Sequence, residues 1–307
     1  MSCHERRVIA SVVQSGSIPF DTPRTLEKLA SLAAAARAAG AQLAVFPEAY
    51  VGGYPKGQGF GITLGRRTAD GRADFQKYFE NAISIPGPET EFLANVARDN
   101  ELTLVVGVIE RSGGTLYCTV LFYSSTGEYL GKHRKLMPTA LERCVWGFGD
   151  GSTLTVVDTP HGKVGAVICW ENYMPLLRTA MYAKGIELYC APTVDDRETW
   201  IPTMRHVACE GRCFVLSACQ YLVDETPRDS ASGNMPLIRG GSCLVSPFGE
   251  LLAGPAYGSE QILTAELDLG EITRGKFDLD VVGHYSRPDV FQLHVDEQEQ
   301  RAVTSNR

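Results

Sequence analysis

Apolar positions along this chain switch between two spacings. Short β-branched runs bounded by turn residues, "RRVIASVVQ", "AQLAVFPE", "LTLVVGVIE" and "TLYCTVLFYS", predict strands. "DTPRTLEKLASLAAAARAAG" predicts a helix, with Thr22 as N-cap, Pro23 at the first helical position and Gly40 past the end. Further helices are predicted near residues 70–82, 88–100, 174–184 and 199–213. "EYLGKHRK" completes a β run whose turns are "RSGG" and "STGE". "TLTVVDTPHGKVGAVICW" predicts a hairpin, "IELYCAPT" and "CFVLSACQ" predict strands, and two more strands surround "SPFGE". The polar, Pro- and Gly-containing stretch 221–240 reads as a surface loop. Strands alternate with helices, no Pro/Ser linker divides the chain and no fixed-period repeat is visible. The pattern predicts one α/β domain with buried central strands and outer helices.

Composition narrows the class. The 307 residues are 44% hydrophobic and 21% charged, an ordinary globular balance with ample material for a core. The formal net charge is -7, from 36 acidic and 29 basic residues, which argues against a nucleic-acid binder. "GKHRK" is a short basic cluster at a strand end. "MSCHERRVIASVVQ" has charges and a strand-like run in place of a long apolar leader core, and no apolar run reaches membrane-spanning length. The nine cysteines are an odd number and most lie in apolar strings, which fits reduced thiols and a cytoplasmic location. Cys209 and Cys213 are four residues apart with Cys219 close by, but a fourth metal ligand has no source, so no metal is expected.

Three strand ends carry reactive groups: Glu48 after "LAVFP", Lys135 after "YLGKHR" and Cys169 after "VGAVI". Strand ends are where α/β sheets meet their ligands. Taken singly, Glu48 reads as a capping or salt-bridged carboxylate, Lys135 as a surface charge and Cys169 as a core thiol. Jointly they make a nucleophile, a base to take its proton and a cation to stabilise negative charge. His133 shares the strand face of Lys135 and makes a Cys/His pair the competing constellation. The Gly-rich segment 52–65 lacks a Gly-Lys-Ser/Thr ending and is not a phosphate loop.

"FPEAYVGGYP", "GKHRKLMPTALERCVWGFGDGS", "GAVICWENYMPLLRTAMYAKGIELYCAPT" and "GHYSRPDVFQL" resemble the motifs of the nitrilase superfamily, in the branch of plant-type and related bacterial nitrilases. The resemblance runs from the first strand to the tail. It implies a four-layer α-β-β-α sandwich, with residues 1–285 as the catalytic domain and 286–307 as a tail involved in subunit contacts. It carries the base to Glu48, the lysine to Lys135, the nucleophile to Cys169 and a second glutamate to Glu142. It implies hydrolysis of aryl-aliphatic or aliphatic nitriles to acid and ammonia, with no metal or organic cofactor. The alternatives are an amidase on the same residues and a non-catalytic ligand-binding protein on the same fold. Motif positions place Tyr54, Trp146, Trp170, Thr193 and Val194 around the substrate. The resemblance also implies a homodimer built on the helix after Cys169, and larger spiral assemblies of such dimers. Stretch 221–240 differs from the plant members, and it or Arg197 is where a polar substrate clamp would lie.

Overall fold

The computed structural model describes residues 6–223 and 236–304. Its strands sort into two seven-stranded sheets. The first holds β1 (Arg7–Gln14), β2 (Leu43–Val45), β3 (Ile83–Ser84), β4 (Thr103–Ser112), β5 (Thr115–Tyr123), β6 (Tyr129–Arg134) and β14 (Gln261–Asp268), in the order β14-β1-β2-β4-β5-β6, with β3 against β4. The second holds β7 (Val156–Thr159), β8 (Gly162–Ala166), β9 (Leu188–Cys190), β10 (Phe214–Ser217), β11 (Tyr221–Val223), β12 (Pro236–Val245) and β13 (Leu251–Tyr257), in the order β11-β12-β10-β9-β8-β7, with β13 against β12. The short central strands of each sheet are parallel, β1-β2-β4 and β8-β9-β10.

Three apolar clusters define the layers. Val12, Val45, Val105 and Val120 of the first sheet meet Val164, Ala166, Leu188 and Leu216 of the second in the cluster between the sheets. On the outer face of the first sheet, α1 (Thr22–Ala38) and α3 (Pro88–Asp99) lay Leu29, Ala33, Leu93 and Ala97 against Ala44, Phe46 and Leu104. On the outer face of the second, α4 (Pro175–Ala183) and α5 (Trp200–Gly211) lay Leu177, Met181, Met204 and Val207 against Tyr189 and Val215. This is the α-β-β-α sandwich. Two more helices, α2 (Ala69–Asn81) and α6 (Gly270–Asp278), complete the set.

The structure corrects three sequence expectations. The N-cap of α1 is Asp21, whose carboxylate accepts the Arg24 N–H, so the helix starts at Thr22 with Pro23 one place further in. Stretch 221–240 is not all loop: Tyr221–Val223 and Pro236–Gly240 pair as β11 and β12, and residues 224–235 lie outside the described residues. β14 and α6 were not foreseen. β14 closes the first sheet antiparallel to β1 along its full length. Beyond α6 the chain runs over the outer surface, where Gln300 N–H reaches Asp150 at 2.8 Å and Glu297 pairs with Lys184 at 2.7 Å.

Candidate active site

The three strand ends converge in the layer between the sheets. Glu48 follows β2, with its turn pressed against β4: a Cβ on Gly107 would lie 2.1 Å from the Pro47 carbonyl oxygen. Only glycine permits that approach. Lys135 directly follows β6, and its N–H donates to the Cys118 carbonyl at 2.8 Å. Cys169 ends the extension of β8, where its N–H donates to Pro192 O at 2.9 Å, and it opens a short 3-10 turn, Cys169–Tyr173. Cys169 itself has φ 50°, a left-handed conformation that non-glycine residues adopt at a cost. Ala49, beside Glu48, and Ala140, two residues before Glu142, share that conformation at φ 50° and 49°.

Four side chains form one connected charge system. Lys135 Nζ donates to Glu48 Oε1 at 2.6 Å and to Glu142 Oε2 at 2.8 Å. Glu142 Oε2 also accepts the Thr139 N–H at 2.7 Å, while its Oε1 accepts the Tyr54 hydroxyl at 2.8 Å. The side chains of Lys135 and Glu48 have no solvent exposure. The Cys118 thiol reaches Glu48 Oε1 at 3.6 Å. Glu48 Oε2 is buried and has no hydrogen-bond partner among the described residues. The Thr193 hydroxyl donates to Cys169 Sγ at 3.1 Å.

Burial sets the proton affinities. It raises the Glu48 carboxyl above its ordinary value, and the adjacent Lys135 ammonium only partly offsets this. Burial and the negative Glu48 push the Cys169 thiol well up, against the pull of Lys135 and the Thr193 hydroxyl. Burial works against the Lys135 ammonium, but Glu48, Cys169, Cys118 and Glu142 around it hold its pKa well above the usual lysine range. Lys135 therefore rests as an ammonium and Cys169 as a neutral thiol.

The remaining sequence-chosen residues divide. Trp146 is buried, lies edge-on to Tyr54 at 5.8 Å and has Lys135 Nζ 5.5 Å from its ring centre. Thr193 touches the thiol and Val194 is buried in the same cluster. Trp170 is 40% exposed: its Nε1–H donates to Asp195 at 2.9 Å and Arg197 stacks on its ring at 4.3 Å. The Arg197 fork is itself taken by the Asp195 carboxylate. His133 does not pair with Cys169; its ring lies between Glu171 and the Thr153 carbonyl. A cavity of about 870 Å³ adjoins the site through Tyr54 and is walled by Phe20, Tyr78, Tyr221, Leu222 and Leu237.

Sequence reasoning missed two positioning groups. The Gln220 amide, from the second sheet, donates to the Glu48 carbonyl at 2.8 Å and so holds the turn of the base. Glu171 caps the turn of the nucleophile by accepting the Ile168 N–H at 2.9 Å. The only sequence signal for Glu171 was its place two residues after the reactive cysteine.

The chain matches known proteins along most of its length. The carbon–nitrogen hydrolase family model matches residues 9–277. The chain is 57% identical over 302 residues to an aliphatic nitrilase of Sinorhizobium fredii (strain HH103), covering 96% of this chain and 98% of that protein. It is 56% identical over 308 residues to the bifunctional nitrilase/nitrile hydratase NIT4A of Lupinus angustifolius, covering 97% and 88%. Nitrilase 2 of Arabidopsis thaliana is 53% identical over 308 residues, covering 97% and 91%. Among solved structures, the C. elegans NitFhit protein superposes with a TM-score of 0.73 at 20% identity, over 97% of this chain and 69% of that one. A carbon–nitrogen hydrolase from Helicobacter pylori G27 gives 0.68 at 23%, over 90% and 94%. The family match and these identities together establish that the chain belongs to the carbon–nitrogen hydrolase family, in its nitrilase branch.

Proposed function

We propose that this nitrilase converts R–C≡N and two waters into R–COOH and ammonia through a covalent bond to Cys169. The observation that carries the reading is the buried Glu48–Lys135 pair, braced by Glu142, with the Cys169 thiol close enough to act on the Glu48 carboxyl. As the sulfur attacks the nitrile carbon, its proton passes through Glu48 to the nitrile nitrogen, giving a thioimidate. Glu48 then takes a proton from water, which adds to the same carbon. Ammonia leaves, and a second water releases the acid and restores the thiol. A base whose pKa is raised by burial is suited to both taking and returning a proton. Lys135 and the backbone N–H of Trp170 stabilise the charge that develops on the substrate. If the tetrahedral intermediate expels sulfur instead of ammonia, the product is the amide, which accounts for the two activities in the name of the lupin relative.

Tyr54 and Trp146 give the reacting centre aromatic walls, and Thr193 and Val194 complete them. The Arg197 guanidinium is already matched by Asp195 and offers no free carboxylate clamp. Such walls favour aryl-aliphatic and medium aliphatic nitriles over β-cyanoalanine, since each buried methylene contributes roughly 0.8 kcal/mol. The chain works in the cytoplasm as a homodimer. Tyr173 and Leu176, exposed beside α4, and Phe291 of the tail provide apolar contact surface. The test is ammonia and product release from phenylacetonitrile, a medium aliphatic nitrile and β-cyanoalanine, by the protein and by Cys169→Ala. Turnover is expected in that order of kcat/KM, with none by Cys169→Ala. Ammonia release by folded Cys169→Ala would overturn the mechanism, and a preference for β-cyanoalanine would overturn the substrate class.

A further inference from the structure

His133 and Glu171 take no part in the reaction as written, yet both are sealed from solvent beside it. Glu171 Oε1 accepts the N–H of Leu136, the residue after Lys135, at 2.6 Å. Its Oε2 accepts the N–H of Ile168, the residue before Cys169, at 2.9 Å, and faces His133 Nε2 at 3.0 Å. Leu136 is leaving the first sheet and Ile168 the second. One carboxylate therefore ties the chain end that carries the ammonium to the chain end that carries the thiol.

What the His133 ring meets dictates its protonation. Nδ1 lies 2.9 Å from the Thr153 carbonyl oxygen, which only accepts. Nε2 lies against a carboxylate that already receives two backbone N–H groups and so also accepts. A neutral imidazole would set a lone pair against one of these acceptors; the imidazolium donates to both. Glu171 is the acidic group set against the ring. Lys132 and Arg134, the neighbours along β6, alternate to the other face and pair with Glu110, while Lys135 is held by Glu48 and Glu142. Burial disfavours the charged ring, but Glu171 and the Thr153 carbonyl outweigh it and raise the His133 pKa above its ordinary value.

We propose that His133 is a buried imidazolium acting as a positioning residue: by fixing Glu171 it sets the spacing of Lys135 and Cys169. This rests on Lys135 and Cys169 carrying the reaction. The sign follows from the raised pKa: the clamp is complete below the ordinary imidazole value and is lost as pH rises through the folded value.

The test has two arms. Full-length Cys169→Ala protein labelled with ¹⁵N-histidine is titrated by two-bond ¹H–¹⁵N NMR. One ring is expected to stay doubly protonated past the ordinary imidazole value of about 6.5, and to be missing from His133→Gln. If every histidine loses its second proton at or below that ordinary value, the proposal fails, whether or not the His133 variant folds. In the second arm, His133→Gln in the otherwise native chain should lose on the order of 10- to 100-fold in kcat with KM changed less than about threefold. Its kcat profile should lack the alkaline limb that the native enzyme shows where the NMR signal loses its second proton. A native kcat with that limb intact would overturn the proposal. Nitrile turnover by Cys169→Ala would sink the mechanism above while leaving the NMR result standing.

Discussion

Strand β6 builds two charge clusters from alternate residues. Lys132 and Arg134 face the helix side of the first sheet and meet Glu110; His133 and Lys135 face the second sheet and meet Glu171, Glu48 and Glu142. Both clusters are centred on buried glutamates. The Glu110 carboxylate is saturated: Lys132 donates at 2.6 Å, Arg134 donates to both oxygens, and the Thr119 hydroxyl adds a bond at 3.0 Å. Burial pushes its pKa up, but Arg134 and Lys132 outweigh burial and hold it below the ordinary value. Glu48 lies deeper, has one cation and has a second carboxyl, Glu142, on the far side of that cation, and its pKa moves the other way. The lesson is that the cations set against burial separate a carboxylate that holds the sheet from one that moves protons.

Breaking each cluster separates the two roles. Glu48→Gln and Lys135→Ala should each lower kcat by ~10²–10⁴, because they remove the proton acceptor or the charge that stabilises the intermediates. Steady-state kinetics on purified, folded variants measures this, and near-native rates from either would dissolve the contrast. Glu110→Gln should leave kcat within a few-fold but lower stability by about 1–3 kcal/mol, read from urea midpoints. The pH dependence sharpens it. Because the folded pKa of Glu110 is depressed, its contribution is present above the unfolded value of about 4.3 and is lost as pH falls through the folded value. The stability gap between native protein and Glu110→Gln should therefore close in acid. The smallest effect belongs to Tyr54→Phe, which deletes the 2.8 Å bond to Glu142 at the edge of the reactive cluster. A loss of about tenfold in kcat/KM is expected, the worth of one hydrogen bond to a charged group.

The reactive ends were legible because strands announce themselves by period and stop abruptly. Pro47 ends one apolar run and the polar residues after Cys169 end another, so Glu48 and Cys169 were visible as strand-end groups. What the sequence hid was pairing over distance. His133 looked like a rival base because alternation puts it on the Lys135 face, but its partner Glu171 stands 38 residues away on the other sheet. Gln220 reaches Glu48 across 172 residues, which no local pattern encodes. β14 was obscured for another reason: its side chains are mostly half-buried and Ile262 and Leu263 stand side by side, so its apolar alternation is weak. Trp170 sits in a 3-10 turn entered through a left-handed residue, so neither the helical nor the strand period tells which way its ring points.

The left-handed backbone at Ala49, Ala140 and Cys169 bears on how this enzyme would respond to selection for heat resistance. Each such residue costs the folded state about 1 kcal/mol that glycine would not. Cys169→Gly should thus melt above Cys169→Ala, since both lose the thiol and only one relieves the backbone. A screen that rewards survival on heating, without demanding turnover, will drift toward glycine at these positions and discard the rigidity that aims the reactive groups. Thermal robustness is more safely sought far from them, on the exposed faces of the outer helices.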